Sequence, residues 1–592
     1  MISIPTLADL RACRPEDNVR ATYDRIRTFC DPALFITLRD EADVLAEAAR
    51  LPEGNPHQLP LFGIPVAVKD NIDVAGLRTT AACPAYAYVA RQDATAVARL
   101  RAAGAIVIGK TNLDQFATGL VGVRSPYGIP RNPIKPDLIP GGSSSGSATA
   151  VSAGIVPISL GTDTAGSGRV PAMLNNIVGL KPSLGLVSTR GVVPACRTLD
   201  CISIFALSVD DAACVLDVIG EWDADDPYSR HRKVLAPGAF PPGLRLGVPR
   251  PGQLKFFDDH LAEAAHEAAL ARLEKLGAKL VPFDIEPYYE TARLLYEGPW
   301  VAERYLVAKD LIARDPAALH PVTLAITQNG AKPSAADTFA ALYRLQALRR
   351  VHEQTFQSID AMVLPTAPTA YTVDQVIANP IEFNSRLGTY TNFVNLLDMS
   401  GLAIPAAMRD DGIPYGITLL ARGGEDALLA SIGRVFHADT GLKAGATGLP
   451  LPPLAPRVPE PRGDEIPLVV VGAHLSGMAL NHEMLALGAR LIAATQTTPD
   501  YKLYALAGGP PARPGMVRVG DGEGTAIAVE VWGLTPDSFG RFVASIPAPL
   551  SIGTVRLADG QMAKGFLAEP AGLDGARDIS SLGGWRAYVA AK

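Results

Sequence analysis

Two kinds of hydrophobic pattern alternate along roughly the first 445 residues. Helical spacing of apolar residues runs through DATAVARLRAAGA (93–105) and DDHLAEAAHEAALARLEKLGA (258–278). Short apolar runs such as AIVIG (105–109) and LRLGVP (244–249) lie between such stretches. Apolar runs without polar alternation are typical of strands that are covered on both faces. The pattern predicts an α/β domain over residues 1–447 with a largely buried sheet.

The pattern changes after GLPLPPLAPRVPEPRGDEIP (448–467), where closely spaced prolines favour extended backbone. We interpret residues 448–465 as a linker and 466–592 as a small, mainly β domain of barrel type. It contains one helical stretch, NHEMLALGARLIAATQ (481–496). The short β-prone runs punctuated by Gly and Pro are PLVVVG, YKLYAL, MVRV, TAIAVEVWGL, SIGTVRL and WRAYVAA.

Length and charge narrow the class of protein. A chain of 592 residues exceeds what one hydrophobic core usually supports, which agrees with two domains. The 54 basic and 60 acidic residues give a net charge of -6, without basic runs, which disfavours nucleic acid or an anionic membrane as a partner. Residues 138–162 carry no charge, but they are rich in Gly, Ser, Ala and Pro, so they predict a buried loop and helix rather than a membrane span.

The cysteines and histidines indicate neither disulfides nor a metal. The six cysteines are scattered without CxxC spacing, which is typical of reduced thiols. The first residues lack the features of a signal peptide, so we expect a cytoplasmic protein. His474, His482 and Glu483 match no usual zinc spacing, and no metal or organic cofactor is expected.

Two clusters of glycine and serine, GGSSSG (141–146) and GTDTAGSGR (161–169), are the first candidates for chemistry. Each alone is consistent with an ordinary turn. Together they suggest backbone that approaches a substrate closely, beside helix N-termini whose free amides can stabilise an oxyanion. Amides from Thr164 to Ser167, including those of Ala165 and Gly166, are suitable donors.

A serine nucleophile requires a base, and the sequence disfavours histidine in that role. None of the nine histidines lies between His57 and His231. Upstream, LFGIPVAVKDN (61–71) carries Lys69 at the end of an apolar, strand-like run. Burial disfavours the charged ammonium, so such a lysine can act as a neutral base. The alternative is a lysine at a strand end that reaches solvent.

The order GIPVAVKDN, GGSSSGS, GTDTAGSGR, with Ser167 placed 24 positions after Ser143, resembles the amidase signature family. The resemblance covers roughly residues 20–445 and implies a large mixed β-sheet covered by helices. It implies that Ser167 is the nucleophile, that Ser143 on a cis peptide relays the proton, and that Lys69 is the final base. Asp163 and Arg169 would hold the nucleophile loop.

Two departures from the common family pattern, Ala165 and the small Gly168, resemble the allophanate-hydrolysing branch of the family. That resemblance also implies that Gly122, Tyr296 and Arg304 bind the substrate carboxylate. A guanidinium fork with a tyrosine hydroxyl suits a small carboxylate. Local sequence alone leaves two alternatives open: Arg304 is a surface residue of a helix, and Tyr296 is a core residue.

The second domain contains GAHLSGMALN (472–481), which is similar to the C-terminal domain of two-domain members of that branch. That domain is itself similar to γ-glutamylcyclotransferase-like barrels. The resemblance implies that His474 assists loss of carbon dioxide from N-carboxycarbamate. A structural histidine, and a domain that serves only interaction or dimerisation, are the alternatives.

The resemblance therefore implies hydrolysis of allophanate to ammonia and N-carboxycarbamate, in urea degradation, with a urea carboxylase on a separate protein as functional partner. It also implies a homodimer, whereas the residues themselves leave the oligomeric state open. Another amidase, including the glutaminase-type component of a tRNA amidotransferase, is the main alternative. The tail after residue 465 argues against that component.

Overall fold

The computed structural model describes residues 4–51, 59–241, 243–454, 465–509, 511–520 and 522–591. The chain divides into two compact units. The first comprises Met1–Val234, Leu246–Leu276 and Leu280–Leu454, and the second Leu235–Arg245, Gly277–Lys279 and Ala455–Lys592. Of the predicted linker, residues 455–464 lie outside the described residues. The grouping of 235–245 and 277–279 with the second unit has no signal in the sequence.

A mixed sheet of eleven strands organises the first unit, in the order β1-β5-β2-β6-β8-β7-β12-β13-β11-β9-β10. The two short strands β3 and β4 form a separate ribbon. The strands are β1 (Phe35–Leu38), β2 (Pro65–Lys69), β3 (Arg78–Thr79), β4 (Tyr88–Val89), β5 (Ile106–Thr111), β6 (Ile158–Asp163), β7 (Val178–Lys181), β8 (Cys201–Ala206), β9 (Arg245–Pro249), β10 (Lys279–Phe283), β11 (Ala361–Pro365), β12 (Met399–Met408) and β13 (Pro414–Arg422).

Three of these strands position the functional residues. β2 pairs in parallel with β5 on one side and β6 on the other, and every residue of the three strands is buried. Parallel neighbours bring their carboxyl ends to the same edge of a sheet, where ligand sites commonly form. Side chains at or just after Lys69, Thr111 and Asp163 therefore lie close together.

Helices pack against this sheet, and the predicted mixed sheet covered by helices is confirmed. Several helices begin at side-chain caps, such as Ser208 before α7 and Asp259 before α8, whose oxygens accept from backbone amides in the first turn. The helices are α1 (Leu7–Arg11), α2 (Pro15–Phe29), α3 (Glu41–Ala48), α4 (Thr95–Ala102), α5 (Ser145–Ser152), α6 (Val170–Leu174), α7 (Val209–Ile219), α8 (His260–Lys275), α9 (Glu286–Leu294), α10 (Val301–Arg314), α11 (Pro321–Thr327), α12 (Ala335–Thr355), α13 (Val373–Ala378), α14 (Glu382–Leu387) and α15 (Asp426–Asp439).

The uncharged segment 138–162 contains the fully buried helix α5, as its composition predicts. A Cβ atom added at Gly146 would lie 2.5 Å from the Leu34 carbonyl oxygen and 2.7 Å from the Asn112 nitrogen. The small residues of α5 thus allow backbone to approach backbone. None of the described helices is long and apolar enough to cross a membrane.

The second unit is mainly β, as predicted. Its described residues form a five-stranded sheet in the order β15-β18-β14-β20-β19 and a three-stranded sheet in the order β17-β16-β21. The elements are β14 (Ile466–Val470), α16 (Asn481–Ala486), β15 (Arg490–Gln496), β16 (Tyr501–Ala505), β17 (Pro514–Arg518), β18 (Ala528–Leu534), α17 (Pro536–Ala544), β19 (Leu550–Arg556), β20 (Met562–Ala568), β21 (Arg577–Asp578) and α18 (Trp585–Ala590).

Two element predictions in this unit are wrong. The predicted helical stretch 481–496 is helical only through α16, because Gly488 has a φ of 70° and the chain continues as strand β15. The run at 585–591 is helix α18 rather than a strand. Its two buried aromatic residues, Trp585 and Tyr588, stand three positions apart, which is helical spacing.

Candidate active site

Lys69 ends strand β2 in a fully buried position, as the apolar run predicts. Its Nζ donates to Ser143 Oγ at 2.7 Å and to Thr162 Oγ1 at 2.7 Å. The partners arrive from different elements, because Ser143 precedes α5 whereas Thr162 lies in β6. The amine is therefore held between two hydroxyls without an ion-pair partner among the described residues.

The pKa of Lys69 is lowered to about 7, chiefly because burial disfavours the charged ammonium. Carboxylates at Asp114, Asp163 and Asp200 oppose this shift, while the charge of Arg304 adds to it. Near neutral pH a large fraction of Lys69 is thus the free amine. That is the protonation state a general base requires.

Ser143 lies in a tightly held loop. The Gly142–Ser143 peptide bond is cis, and the carbonyl of Ser143 accepts from the Asp114 amide at 3.0 Å. One carboxylate oxygen of Asp114 accepts from the amides of Val121, at 3.2 Å, and Gly122, at 2.9 Å. The carboxylate of Asp114 thus ties the segment around Gly122 to the serine loop.

Ser167 lies in the loop between β6 and α6, and Asp163 organises that loop. The carboxylate of Asp163 accepts from the amides of Gly166 at 2.9 Å and Gly168 at 3.0 Å. It also binds Arg169 through Nε and Nη2, each at 2.9 Å, in a fully buried ion pair. Burial alone would raise the pKa of Asp163, but Arg169 keeps that pKa below its usual value. The ion pair therefore keeps its charges and holds the loop.

The amides proposed as oxyanion donors differ in availability. The Gly166 amide is already donated to Asp163, so it is not free in this structure. The amides of Ala165 and Ser167 have no hydrogen-bond partner within the described part of the chain. The carbonyl of Ala165 accepts from Thr391 Oγ1 at 2.6 Å, which orients the intervening peptide. The Thr164 amide likewise has no partner among the described residues, so donor capacity beside Ser167 is present at three of the predicted positions.

Two polar residues that the sequence did not single out, Thr162 and Asp200, belong to this site. Asp200 accepts from Thr164 Oγ1 and from the amides of Ala195 and Cys196, and burial raises the pKa of Asp200 to about 6. Thr162 lies inside the GTDTAGSGR motif, but strand alternation alone does not tell which side faces Lys69. Asp200 has no motif; its only signal is a charge preceding the apolar strand β8.

The carboxylate-binding residues predicted from the resemblance, Tyr296 and Arg304, lie together. Arg304 is only 3% exposed, so its alternative as a surface helix residue is wrong. Its Nη2 donates to Tyr296 Oη at 3.2 Å, and its Nη1 donates to Thr118 Oγ1 at 3.0 Å. Its Nε is buried without a partner among the described residues. One N–H group of the guanidinium is therefore unpaired within the described part of the chain.

Gly122 borders the same part of the site. Its φ is 75°, and a Cβ atom there would lie 2.5 Å from the Gly141 carbonyl oxygen. Only glycine fits this close approach without movement of the serine loop. Arg124, two residues further on, donates to the carbonyls of Thr118 at 2.9 Å and Pro380 at 2.7 Å, so its terminal nitrogens are engaged by backbone.

His474 lies in the second unit, in a cavity of its own. Its Nε2 lies 3.0 Å from Glu483 Oε2, and its ring stacks on Phe566 with the edge of Phe542 against it. Burial lowers the pKa of His474, whereas the hydrogen bond to Glu483 opposes that shift. No group of three or more metal-ligating side chains occurs in the described residues.

Sequence comparison identifies two family matches. The family described as Amidase matches residues 17–430, and the Allophanate hydrolase C-terminal domain matches residues 466–590. The urea amidolyase of Lachancea kluyveri is 43% identical over 580 residues, covering 94% of this chain and 31% of the relative. The urea amidolyase of Saccharomyces cerevisiae is 43% identical over 548 residues, covering 90% and 30%. The chain thus spans less than a third of either relative.

Solved structures agree with these matches. The Kluyveromyces lactis allophanate hydrolase superposes with a TM-score of 0.78 at 39% identity, covering 99% of each chain. The Thermotoga maritima glutamyl-tRNA(Gln) amidotransferase chain has a TM-score of 0.63 at 27% identity, covering 76% of this chain and 97% of its own length. The similarity to the allophanate hydrolase structure extends through both units, whereas the amidotransferase structure matches about three quarters of the chain.

Proposed function

The chain belongs to the amidase family, and from this premise we propose that Ser167 is the nucleophile of an amide hydrolysis in which Ser143 and Lys69 move the proton. The observation that carries the proposal is the buried contact between Lys69 Nζ and Ser143 Oγ at 2.7 Å. A buried amine with a pKa of about 7 is a competent proton acceptor at neutral pH. No histidine is needed for this relay.

In the proposed mechanism, Ser167 Oγ attacks the amide carbon while its proton passes through Ser143 to Lys69. The carbonyl oxygen becomes an oxyanion, which the amides of Ala165 and Ser167 stabilise. When the C–N bond breaks, Lys69 returns a proton to the nitrogen and ammonia leaves. Water then attacks the acyl-enzyme by the same route in reverse, giving a carboxylate and restoring the serine.

We propose allophanate as the substrate, cleaved at its terminal amide to ammonia and N-carboxycarbamate. The free Nε of Arg304 and the hydroxyl of Tyr296 form a polar pair that suits a substrate carboxylate. Gly122 would allow the substrate to approach the serine loop. Similarity to an allophanate hydrolase over both units, and to urea amidolyases, supports this choice.

For the second unit we propose that His474 promotes loss of carbon dioxide from N-carboxycarbamate. We also propose that a urea carboxylase is the partner that supplies allophanate. The proposal is supported by similarity to urea amidolyases, which are about three times as long as this chain. Free thiols at all six cysteines fit the proposed cytoplasmic location. A homodimer is part of the same proposal.

The test is ammonia release from allophanate, malonamate, glutamine and a simple aliphatic amide, by the full chain and by Ser167→Ala. We expect allophanate to have the highest kcat/KM, and Ser167→Ala to lose at least about a thousandfold of turnover with an unchanged melting temperature. Preference for glutamine would overturn the proposed substrate. Retained turnover in the variant would remove Ser167 from its role.

A further inference from the structure

The second unit contains a pocket of about 460 Å³ around His474, partly open to solvent, which we call the His474 cavity. Its walls are mainly apolar, with a few polar groups converging on the same space, as in most small-molecule sites. The apolar walls include Leu480, Leu487, Pro514, Phe542, Ile546 and Phe566, and the charged groups include Glu483 and Arg513.

His474 is held rigidly in this cavity. Its ring is stacked on Phe566, with centroids 5.5 Å apart, and meets the edge of Phe542 at 4.9 Å. Its Nε2 lies 3.0 Å from Glu483 Oε2, and its backbone carbonyl accepts from Asn481 Nδ2 at 2.9 Å. Ring and backbone are therefore both fixed, which is what a group that transfers a proton to a bound ligand requires.

Arg513 is the unexplained charge in the same cavity. Its side chain has no hydrogen-bond or ion-pair partner among residues 465–509, 511–520 and 522–591, yet its charge is close enough to lower the pKa of His474. Arg541 also lines the cavity, but its side chain is 71% exposed and pairs with Asp537 at 3.0 Å. Of these two guanidinium groups, that of Arg513 is the one available to bind an anion in this mainly apolar cavity.

We propose that Arg513 binds a carboxylate of the ligand in the His474 cavity, with Glu483 positioning His474 to protonate the ligand nitrogen. The inference rests on the proposed function and extends it, because the ligand is then N-carboxycarbamate, a dianion. Arg513 holds the carboxylate that is retained, through the two-pronged contact that guanidinium makes with carboxylate.

The chemistry balances within these groups. The C–N bond to the departing carboxylate breaks, its electron pair remains on nitrogen, and the proton from His474 forms the new N–H bond. Carbon dioxide and carbamate leave, and solvent reprotonates the imidazole. The departing carboxylate becomes a neutral molecule, which apolar walls accommodate better than a charged one. Binding of the dianion also favours the imidazolium form of His474.

The test follows ammonia and carbon dioxide separately during one turnover of allophanate by the full-length protein. In Arg513→Gln we expect the first ammonia to appear at the wild-type rate, while carbon dioxide release slows by about 10- to 100-fold, the usual effect of losing a charged hydrogen bond. Arg513→Lys should recover part of the loss. Arg541→Gln is the matched control and should behave as wild type.

The pH dependence of carbon dioxide release by Glu483→Gln tests whether Glu483 acts on His474. Loss of a residue with only a structural role would not shift this pH dependence. The charged and titratable groups that act on His474 are Glu483, His482 and Arg513. Carbon dioxide release should fall as His474 loses its proton with rising pH. Since Glu483 raises the pKa of His474, its removal should move this fall to lower pH.

The outcomes separate the two proposals. Wild-type carbon dioxide release by Arg513→Gln, or equal slowing by Arg541→Gln, would overturn the assignment of Arg513 while leaving the amidase proposal intact. Absence of ammonia release from allophanate by the unaltered protein would instead overturn the proposed function. Melting temperatures equal to wild type within about 2 °C would exclude misfolding as the cause.

Discussion

The protonation state of one buried lysine sets the pH range of the proposed chemistry. Lys69 must be neutral to accept a proton from Ser143, and its pKa is lowered to about 7. We therefore expect kcat/KM for ammonia release to rise with pH and to level off above about pH 7. A profile from about pH 5 to about pH 9 would test this, and activity that is still rising at pH 9, as the ordinary lysine pKa of about 10.4 would require, would contradict it.

Thr162 offers a second test of Lys69, because its hydroxyl accepts from Nζ at 2.7 Å. Thr162→Val removes an acceptor that stabilises the ammonium more than the amine, so the pKa of Lys69 should fall further. The rising limb of the pH profile should move to lower pH, and kcat should drop by about 10-fold or more as the amine loses its orientation. Thr162→Ser keeps the hydroxyl and should retain the wild-type midpoint. An unshifted midpoint in the valine variant would argue against this role of Thr162.

Arg304 is the residue on which substrate choice should depend. Arg304→Lys keeps a positive charge but loses the guanidinium fork, so kcat/KM for allophanate should fall by about 10- to 100-fold. A simple aliphatic amide, which has no carboxylate, should change by less than about threefold. Arg314→Lys, at the exposed end of the same helix α10, is the control. Equal losses on both substrates would make Arg304 a structural residue.

At the scale of elements, the nucleophile loop depends on its fit against strand β8. A Cβ atom at Gly168 would lie 2.5 Å from Ser203 Cβ and 2.8 Å from Ser203 Oγ. Gly168→Ala should therefore shift the loop, lower stability by about 1–3 kcal/mol and reduce ammonia release. Adding Ser203→Gly makes room and should restore part of both properties.

The matched control for Gly168→Ala is Gly540→Ala in helix α17, where an added Cβ meets nothing within 4 Å. That change should leave stability equal or slightly higher, since alanine favours helix over glycine. Thermal unfolding together with ammonia release would be measured for Gly168→Ala, Ser203→Gly, the double variant and Gly540→Ala. Full additivity of the Gly168 and Ser203 changes would show that contact with Ser203 does not cause the losses of stability and activity in Gly168→Ala.

At the scale of the whole molecule, the proposed steps lie in separate units. Lys69, Ser143 and Ser167 belong to the first unit, whereas His474 belongs to the second. The second unit also has its own cluster of buried residues, including Val470, Trp532 and Phe542. A change confined to the His474 cavity should therefore leave amide cleavage intact.

His474→Ala should accordingly release the first ammonia at the wild-type rate while carbon dioxide appears later than with the unaltered protein. The delay follows because decarboxylation of the dianion needs a proton at nitrogen, and the alanine variant has no group to deliver it. His260→Ala removes an exposed histidine of the first unit and is the control. Identical time courses for His474→Ala and wild type would make the second unit an assembly module.

Much of this protein is determined by local sequence. The order and spacing of the motifs around Lys69, Ser143 and Ser167 identify the family, and the apolar run before Lys69 predicts its burial. The alternation of helical and strand-like runs predicts the class of each unit. These inferences hold because they depend on properties of consecutive residues, such as the backbone freedom of glycine and the period of the apolar positions.

Other features were decided only by the tertiary structure. Thr162 and Asp200 joined the site because β2, β6 and β8 lie close together in the sheet, and no local pattern encodes which side chain will meet Lys69 across strands. Arg513 became a candidate because folding places it beside His474 without a partner among the described residues. The helix at 585–590 and the strand at 490–496 depend on where buried partners lie. Local propensity yields to such packing, because burial of aromatic side chains outweighs the small free-energy differences between helix and strand.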